Sequence, residues 1–279
     1  MPSKAPTLVA LAALVALLAV HPAGAAVPHR IISLSPTATE SLFAIGAGKQ
    51  VVAVDDQSDY PKRAPRTALS GYTPNVEAIA GYRPDLVVLS GDANDTVAGL
   101  KKLGIRVLLQ PAPDTLPGAY AEIKQLGTVT GHARTAAALV SRMKKAIAQT
   151  VKSVPKRRVS VYHELDPTYY SATSKTFIGR IYKLFGLRNI ADAADSTASG
   201  YPQLSAEYIV SSNPGLIVLA DTRCCGQSAA TVASRPGWSG LAAVRNHRVV
   251  GIDDSVASRW GPRIVGFVRS VGKALRRTG

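Results

Sequence analysis

The sequence predicts an α/β fold in which two doubly wound α/β lobes with central parallel sheets are joined by one long α-helix. Two series of short apolar runs alternating with helix-compatible stretches predict the lobes, because buried parallel strands and their covering helices follow one another in this way. A single long amphipathic stretch, residues 132–154, separates the two series. One helix–turn–strand motif occurs on each side of it, which favours two similar lobes.

Residues 1–26 are interpreted as a signal peptide. Lys4 precedes an apolar run from Leu8 to Val20, and Ala23-Gly24-Ala25 has the small residues typical of a cleavage site. The run is too short for a membrane span, and Pro22 follows it closely. We therefore expect an exported protein in the periplasm or on the outer face of the cell membrane. There is no cysteine near the cleavage site, so we find no lipid-attachment signal there.

The formal net charge of the chain is +15, from 33 lysines and arginines against 18 acidic residues. The basic residues are spread along the chain, with short clusters only at Lys156-Arg157-Arg158 and Arg276-Arg277. No aromatic-rich nucleic-acid signature lies beside them, so no nucleic-acid partner is expected. We interpret the charge as surface composition, and attraction to anionic ligands or cell-envelope polymers is the alternative.

The N-terminal lobe, residues 27–131, contains four predicted strands. They are Ile31 to Leu34, Val51 to Val54, Leu86 to Ser90 and Ile105 to Leu109. Two stretches between them have helical patterns, Thr37 to Ile45 and Asp95 to Leu103. Gly46 and Gly104 follow these helices at the positions where C-terminal caps belong.

The linking helix is predicted over residues 132–155. Its apolar residues recur at intervals of four and three: Ala136, Val140, Met143, Ile147, Val151 and Val154. Arg142, Lys144, Lys145 and Lys152 fall off that face. This is the pattern of an amphipathic helix of about six turns, which Pro155 ends.

The C-terminal lobe, residues 156–279, repeats the alternation. Its predicted strands are Val159 to His163, Leu216 to Asp221 and Val249 to Asp253. Its clearest helices are Phe177 to Leu184 and Ile264 to Leu275.

The duplicated motif is centred on two glutamates, Glu77 and Glu207. Each begins Glu-x-Ile, reaches Pro84 or Pro214 at the same spacing, and continues into a strand of Leu-[Val/Ile]-Val-Leu. Each copy predicts a short helix that starts near the glutamate, a tight turn and a buried parallel strand. A single such glutamate is explained by the helix dipole. Two matched copies instead indicate a pseudo-symmetric body that displays one acidic residue per lobe.

Further motifs are distributed along the chain in order. They are Arg30-Ile31-Ile32-Ser33-Leu34-Ser35-Pro36 with Thr39-Glu40, Ser58-Asp59-Tyr60-Pro61, Pro84-Asp85-Leu86-Val87 and Trp260-Gly261-Pro262-Arg263-Ile264. Together they resemble the periplasmic vitamin B12-binding and ferric-siderophore-binding family over residues 29–277. The resemblance implies a monomeric extracytoplasmic solute-binding protein of an ABC importer, with a rigid helix between its lobes. The implied ligand is a bulky metal chelate, corrinoid or ferric siderophore, held between the lobes; haem is the alternative.

The resemblance also implies a partner for the paired glutamates. Glu77 and Glu207 stand at the motif positions where the family docks into arginine pockets of a permease dimer. Bidentate arginine–carboxylate pairs fix orientation as well as adding affinity, so the expected contact is chemically sensible.

Candidate ligand residues follow from the rule that ligands gather at the carboxyl ends of strands in doubly wound lobes. They are Ser35, Pro36, Tyr60, Tyr72, Tyr169, Tyr170, Arg223, Cys224, Cys225, Arg259 and Trp260. The aromatic residues would offer flat faces to a large conjugated ligand, or would pack within the lobes. Arg223 and Arg259 would pair with anionic groups of a ligand, or are solvated surface residues.

Cys224 and Cys225 are adjacent and are the only cysteines. Neighbouring thiols in an oxidising compartment pair only through a strained ring that would stiffen the loop, and free thiols are the alternative. His163 could coordinate a metal within the ligand or hydrogen-bond within its lobe. The five histidines lack zinc-site spacing, so no protein metal site or cofactor is expected.

Enzyme functions find little support in the sequence. It has no nucleotide-cradling glycine loop and no Gly-x-Ser-x-Gly elbow. A thiol-dependent redox enzyme using Cys224 and Cys225 is the alternative from another class. A polymer-binding surface protein would suit the charge but would leave the duplicated glutamate motif unexplained. The sequence therefore predicts a binding protein and not an enzyme.

Overall fold

The computed structural model describes residues 26–155 and 158–276. Apart from Ala26, the expected signal peptide lies outside the described residues. Within the described residues, no helix is both long and apolar enough to cross a membrane.

The first lobe is built on a parallel sheet of four strands. They are β1 Ile31–Leu34, β2 Val51–Val54, β3 Leu86–Leu89 and β4 Arg106–Leu109, in the order β2-β1-β3-β4. All three strand pairs are parallel. The covering helices are α1 Pro36–Ile45, α2 Val76–Gly81, α3 Thr96–Lys102 and α4 Leu116–Val129. Each strand lies within one residue of its predicted bounds.

The second lobe repeats this arrangement with β5 Ser160–Glu164, β6 Arg188–Asn189, β7 Leu216–Leu219 and β8 Val249–Gly251, in the order β6-β5-β7-β8. Its helices are α6 Phe177–Leu184, α7 Ala206–Ser212, α8 Ala229–Ala233, α9 Ala242–Arg245, α10 Asp254–Ala257 and α11 Ile264–Arg276. In both sheets the strand that follows the glutamate motif pairs in parallel with the first strand of its lobe. The predicted α/β fold with two parallel sheets is confirmed.

The linking helix α5 spans Ala133–Lys152 and lies between α4 of the first lobe and α11 of the second. It buries the predicted apolar face, Ala136, Val140, Met143 and Ile147. These side chains belong to one hydrophobic cluster that extends from Leu42 in the first lobe to Phe267 in the second. Because a close-packed core resists deformation, this continuous cluster limits bending between the lobes.

Helix α4 was not predicted. Thr115 caps it by accepting a hydrogen bond from the Gly118 N–H at 3.3 Å, and Tyr120, Ile123 and Leu126 are among its buried residues. Its glycines disguise the helical pattern, because glycine is a poor helix former. Gly127 is required by packing, since a Cβ atom at this position would overlap the Cβ of Ala136 on α5.

Candidate functional site

A cleft of about 550 Å³ lies between the lobes, where the carboxyl ends of the strands face one another. Its first wall is formed by Leu34, Ser35, Pro36, Thr37, Asp55, Gln57, Asp59, Gly71, Tyr72 and Ser90. Its second wall is formed by Arg223, Cys224, Asp254, Ser255, Ser258, Arg259 and Trp260. Of the predicted ligand residues, the cleft brings together Ser35, Pro36, Tyr72, Arg223, Cys224, Arg259 and Trp260.

The first wall presents an aromatic ring on a tight loop. Tyr72 is 80% exposed, and the Ser70 hydroxyl accepts its backbone N–H at 3.2 Å. The neighbouring Gly71 lets this loop pack closely against the end of β1, because a Cβ at position 71 would lie 2.6 Å from the Leu34 carbonyl oxygen. Ser35 has a structural task as well, since its hydroxyl caps α1 by accepting the Ala38 N–H.

The second wall contains the loop of residues 221–227, which is fixed by one carboxylate. Asp254 accepts the backbone N–H of Arg223 at 3.0 Å, that of Cys224 at 2.8 Å, and the Thr222 hydroxyl at 3.1 Å. Cys224 and Cys225 are joined by a disulfide bond between neighbouring residues. The disulfide alternative is therefore the one observed, with Cys224 in the cleft lining and Cys225 outside it.

Arg259 is engaged by the protein itself. Its Nη1 lies 2.9 Å from Glu40 Oε1 and 2.8 Å from Asp59 Oδ1, and its Nη2 donates to the Gln57 carbonyl oxygen at 2.9 Å. Its side chain is only 12% exposed. The guanidinium therefore connects the two lobes and is not displayed as a free anion site. Arg223, with a side chain 59% exposed, is the more accessible cation of the cleft.

Glu40 is the centre of the contact between the lobes. It is buried, and Arg263 Nε and Nη2 donate to its two oxygens at 2.9 and 2.5 Å. Arg263 also lies over the Tyr60 ring, 4.4 Å from its centroid. Burial opposes ionisation of Asp59, but its hydrogen bond to Arg259 and the nearby guanidinium charges outweigh burial and lower the pKa of Asp59. Motif residues from opposite ends of the chain thus form one ionic cluster.

Trp260 is held by a carboxyl group of the first lobe. Its Nε1 donates to Glu122 Oε2 on α4 at 2.8 Å. Burial raises the pKa of Glu122 to about 7, although the hydrogen bond from Trp260 partly opposes this. Burial also raises the pKa of Asp55, in the cleft lining, to about 6. Sequence reasoning missed both acids, because their role depends on contacts with distant segments.

Some predicted ligand residues lie away from the cleft lining. Tyr169 stacks on Trp238, with ring centroids 5.7 Å apart, and both rings pack against Arg235. Tyr170 is exposed and forms an isolated bridge with Gln203. Tyr60 contacts Arg263 beside the cleft.

His163 is fully buried within the second lobe and does not line the cleft. Its Nδ1 lies 2.6 Å from the Tyr182 hydroxyl, and burial lowers its pKa to about 3. Beyond it, Glu164 forms a buried two-point ion pair with Arg235, at 2.6 Å for each contact. Burial and the Glu164 charge raise the pKa of Asp221 to about 7. In the described part of the chain, no group of three or more histidine, cysteine or acidic residues could hold a metal ion.

Glu77 and Glu207 occupy equivalent positions. Each is exposed in the first turn of a short helix, capped by the Asn75 side chain in α2 and by the Ser205 side chain in α7. Hydrogen bonds from its own backbone N–H and from Ser205 lower the pKa of Glu207. In α/β units the helix runs opposite to the following strand, so each glutamate stands at the carboxyl edge of its sheet.

The periplasmic binding protein family matches this chain over residues 31–256. The chain belongs to this family. An uncharacterized ABC transporter substrate-binding lipoprotein of Bacillus subtilis is 34% identical over 260 residues, which cover 89% of this chain and 80% of that protein. A cobalamin-binding protein of Halobacterium salinarum is 33% identical over 261 residues, which cover 90% of this chain and 70% of that protein.

Solved structures of the family have the same fold. A periplasmic vitamin B12 binding protein of Vibrio cholerae superimposes with a TM-score of 0.74 at 25% identity, covering 89% of this chain and 97% of that one. A possible iron-binding protein of Staphylococcus epidermidis gives a TM-score of 0.74 at 26% identity, covering 89% of this chain and 99% of that one. The predicted family and solute-binding class of this periplasmic binding protein are confirmed, and an extracytoplasmic location agrees with them.

Proposed function

We propose that this periplasmic binding protein captures a corrinoid between its lobes and delivers it to the permease of an ABC importer. The observation that carries the proposal is the open cleft with Tyr72 and Trp260 on opposite walls. Two flat aromatic faces with polar edges suit a large conjugated macrocycle. The names of the Halobacterium and Vibrio relatives support a corrinoid as the cargo.

The charge of the cleft lining, two guanidinium groups against three carboxylates, favours a corrinoid macrocycle over an anionic ferric siderophore in the cleft. Arg259 is neutralised by Glu40 and Asp59, so it offers little to a ligand anion. The cleft lining otherwise consists largely of serine, threonine and acidic side chains, which can hydrogen-bond the amide groups around a corrin ring. A corrinoid also needs little metal coordination from the protein.

Haem is the second candidate, and the exposed phenol of Tyr72 supports it. An axial ligand to haem iron is commonly histidine, cysteine, methionine or tyrosine. Tyr72 is the tyrosine that lines the cleft, whereas His163 is buried inside the second lobe. A Tyr72→Phe variant separates the two candidates, because it would remove the iron ligand of haem but keep the aromatic face for a corrinoid.

Capture requires little movement between the lobes. Helix α5 and the hydrophobic cluster around it join them on one side, and the contacts from Glu40 to Arg259 and Arg263 join them beside the cleft. The cleft is therefore largely preformed, and opening it breaks a small number of polar contacts between the lobes.

Glu77 and Glu207 are proposed as the docking residues. Their matched helix positions and exposure would place one carboxylate of each lobe against the permease dimer. Arginine pockets on two subunits would hold the lobes in a fixed orientation. Ligand release would follow when the permease separates the lobes and breaks the contacts of Glu40.

A fluorescence titration tests the cargo. Hydroxocobalamin, haem and several ferric siderophores are added separately to the purified protein, and Trp260 in the cleft wall is the expected reporter. A Trp260→Phe variant gives the background from the buried Trp238. Saturable quenching by hydroxocobalamin that weakens in the variant supports the proposal. Saturable quenching by haem or a siderophore alone would contradict it.

A further inference from the structure

A second cavity of about 480 Å³ adjoins the ligand cleft between the lobes. We call it the side chamber, and its charged lining consists of Lys62 and Arg66 from the first lobe, Arg223 and Arg263 from the second, and Asp59 and Asp253. Asp59 and Arg223 also line the cleft. The two cavities therefore adjoin at these two side chains, and a ligand in the cleft lies next to the side chamber.

The two cavities differ in the sign of their charge. The lining of the side chamber has four cationic side chains against two carboxylates, a formal excess of two positive charges, and Glu40 outside the lining offsets the charge of Arg263. The cleft has two guanidinium groups against three carboxylates, those of Asp55, Asp59 and Asp254. The contrast favours an uncharged or weakly cationic group in the cleft and an anionic group in the side chamber.

Two of the four cationic side chains in the side chamber form no ion pair within the described residues. Arg263 is paired with Glu40, and Arg223 lies 3.1 Å from Asp253 and 3.5 Å from Asp59. Lys62 and Arg66 are exposed and form no ion pair within residues 26–155 and 158–276. Their ammonium and guanidinium groups remain available to an anion.

We propose that the side chamber binds a phosphodiester arm of the chelate whose macrocycle occupies the cleft. This inference rests on the proposed corrinoid cargo, because cobalamin carries a phosphodiester in its nucleotide arm and cobinamide lacks one. Lys62 and Arg66 bind the phosphodiester oxygens by charge-assisted hydrogen bonds. Arg223, at the boundary of the two cavities, contacts the arm where it leaves the cleft.

The test compares two corrinoids on two charge-matched variants. Lys62→Gln with Arg66→Gln removes both available cations, and Lys101→Gln with Lys102→Gln removes the same charge at the exposed end of α3. Affinities for cyanocobalamin and dicyanocobinamide are measured by titration calorimetry. We expect cobalamin to bind the first variant about tenfold more weakly than wild type, with cobinamide unchanged and the control variant unaffected.

The outcomes separate this inference from the proposed cargo. Suppose that wild-type protein binds both corrinoids. If the first variant then keeps its affinity for both, or loses affinity for both by the same factor, the side chamber does not hold the phosphodiester. If wild-type protein binds neither corrinoid, the proposed cargo is wrong and the inference falls with it. Salt dependence gives a second readout. If added salt weakens the binding of cobalamin more than that of cobinamide, the result supports a charged contact with the phosphodiester.

Discussion

Trp260 and Glu122 connect the two lobes through a hydrogen bond of 2.8 Å from the indole N–H to the carboxyl group. Glu122 lies on α4 of the first lobe, and Trp260 lies between α10 and α11 of the second. One wall of the cleft is therefore positioned by the opposite lobe. Opening of the lobes has to break this hydrogen bond as well as the ion pairs of Glu40.

This contact predicts a pH response near neutrality. Because burial raises the pKa of Glu122 from 4.5 to about 7, the folded protein binds this proton more tightly than the unfolded chain. The resulting stabilisation is present below pH 4.5 and is lost as the pH rises through about 7. Tryptophan fluorescence should change with a midpoint near pH 7 in wild type, and the change should be smaller in Glu122→Gln, where Asp221, linked to Trp238 through Arg235, still titrates in this range. An equal titration in both proteins would contradict the assignment.

The buried carboxylate of Glu40 predicts a large effect on stability. Glu40→Ala leaves Arg259 and Arg263 without their shared partner, and removing one member of a buried ion pair costs about 3 kcal/mol. Urea denaturation measures the free energy of unfolding. Glu77→Ala, at an exposed glutamate, is the control and should change it by less than about 0.5 kcal/mol. Similar values for the two variants would show that the ion pairs between the lobes do not stabilise the fold.

The disulfide between Cys224 and Cys225 predicts a local effect. A disulfide stabilises mainly by closing a loop in the unfolded chain, and neighbouring residues close the smallest possible loop. Replacing both cysteines by serine should therefore lower the free energy of unfolding by less than about 1 kcal/mol. Corrinoid affinity should fall, because Cys224 lines the cleft. A large loss of stability with unchanged affinity would contradict this division of roles.

The docking proposal predicts that transport and binding respond separately. Changing both Glu77 and Glu207 to lysine should abolish uptake by the importer, because like charges would face the arginine pockets of the permease. Ligand affinity in solution should stay at the wild-type value, since neither residue lines the cleft. Loss of affinity in the double variant would refute the docking assignment.

Sequence periodicity predicted the linking helix and every described strand except β6, because their signals are local. The apolar face of α5 recurs within a single helix, and each predicted strand contains a short apolar run, whereas β6 consists of the polar residues Arg188 and Asn189. Helix α4 escaped prediction because its glycines serve packing, as Gly127 does against Ala136. Such a requirement is visible only once both helices are in place.

The sequence predicted where the candidate site lies, but it did not predict which side chains contact one another there. The strand-end rule found Tyr72 and Trp260 in the cleft lining, because strand ends follow from the local pattern. The engagement of Arg259 by Glu40 could not be inferred, since 219 residues separate them in sequence. The stacking of Tyr169 on Trp238 likewise depends on how distant segments pack within the second lobe.

The most direct measurement is titration calorimetry of the purified protein with cyanocobalamin, for wild type, Tyr72→Ala and Tyr201→Ala. Tyr72 is 80% exposed, so its removal should leave the fold intact, and Tyr201 is an exposed tyrosine outside the cleft lining. We predict saturable binding of one corrinoid per chain, about tenfold weaker in Tyr72→Ala and unchanged in Tyr201→Ala. No saturable binding by folded wild-type protein, or equal affinity in all three proteins, would contradict corrinoid capture in this cleft.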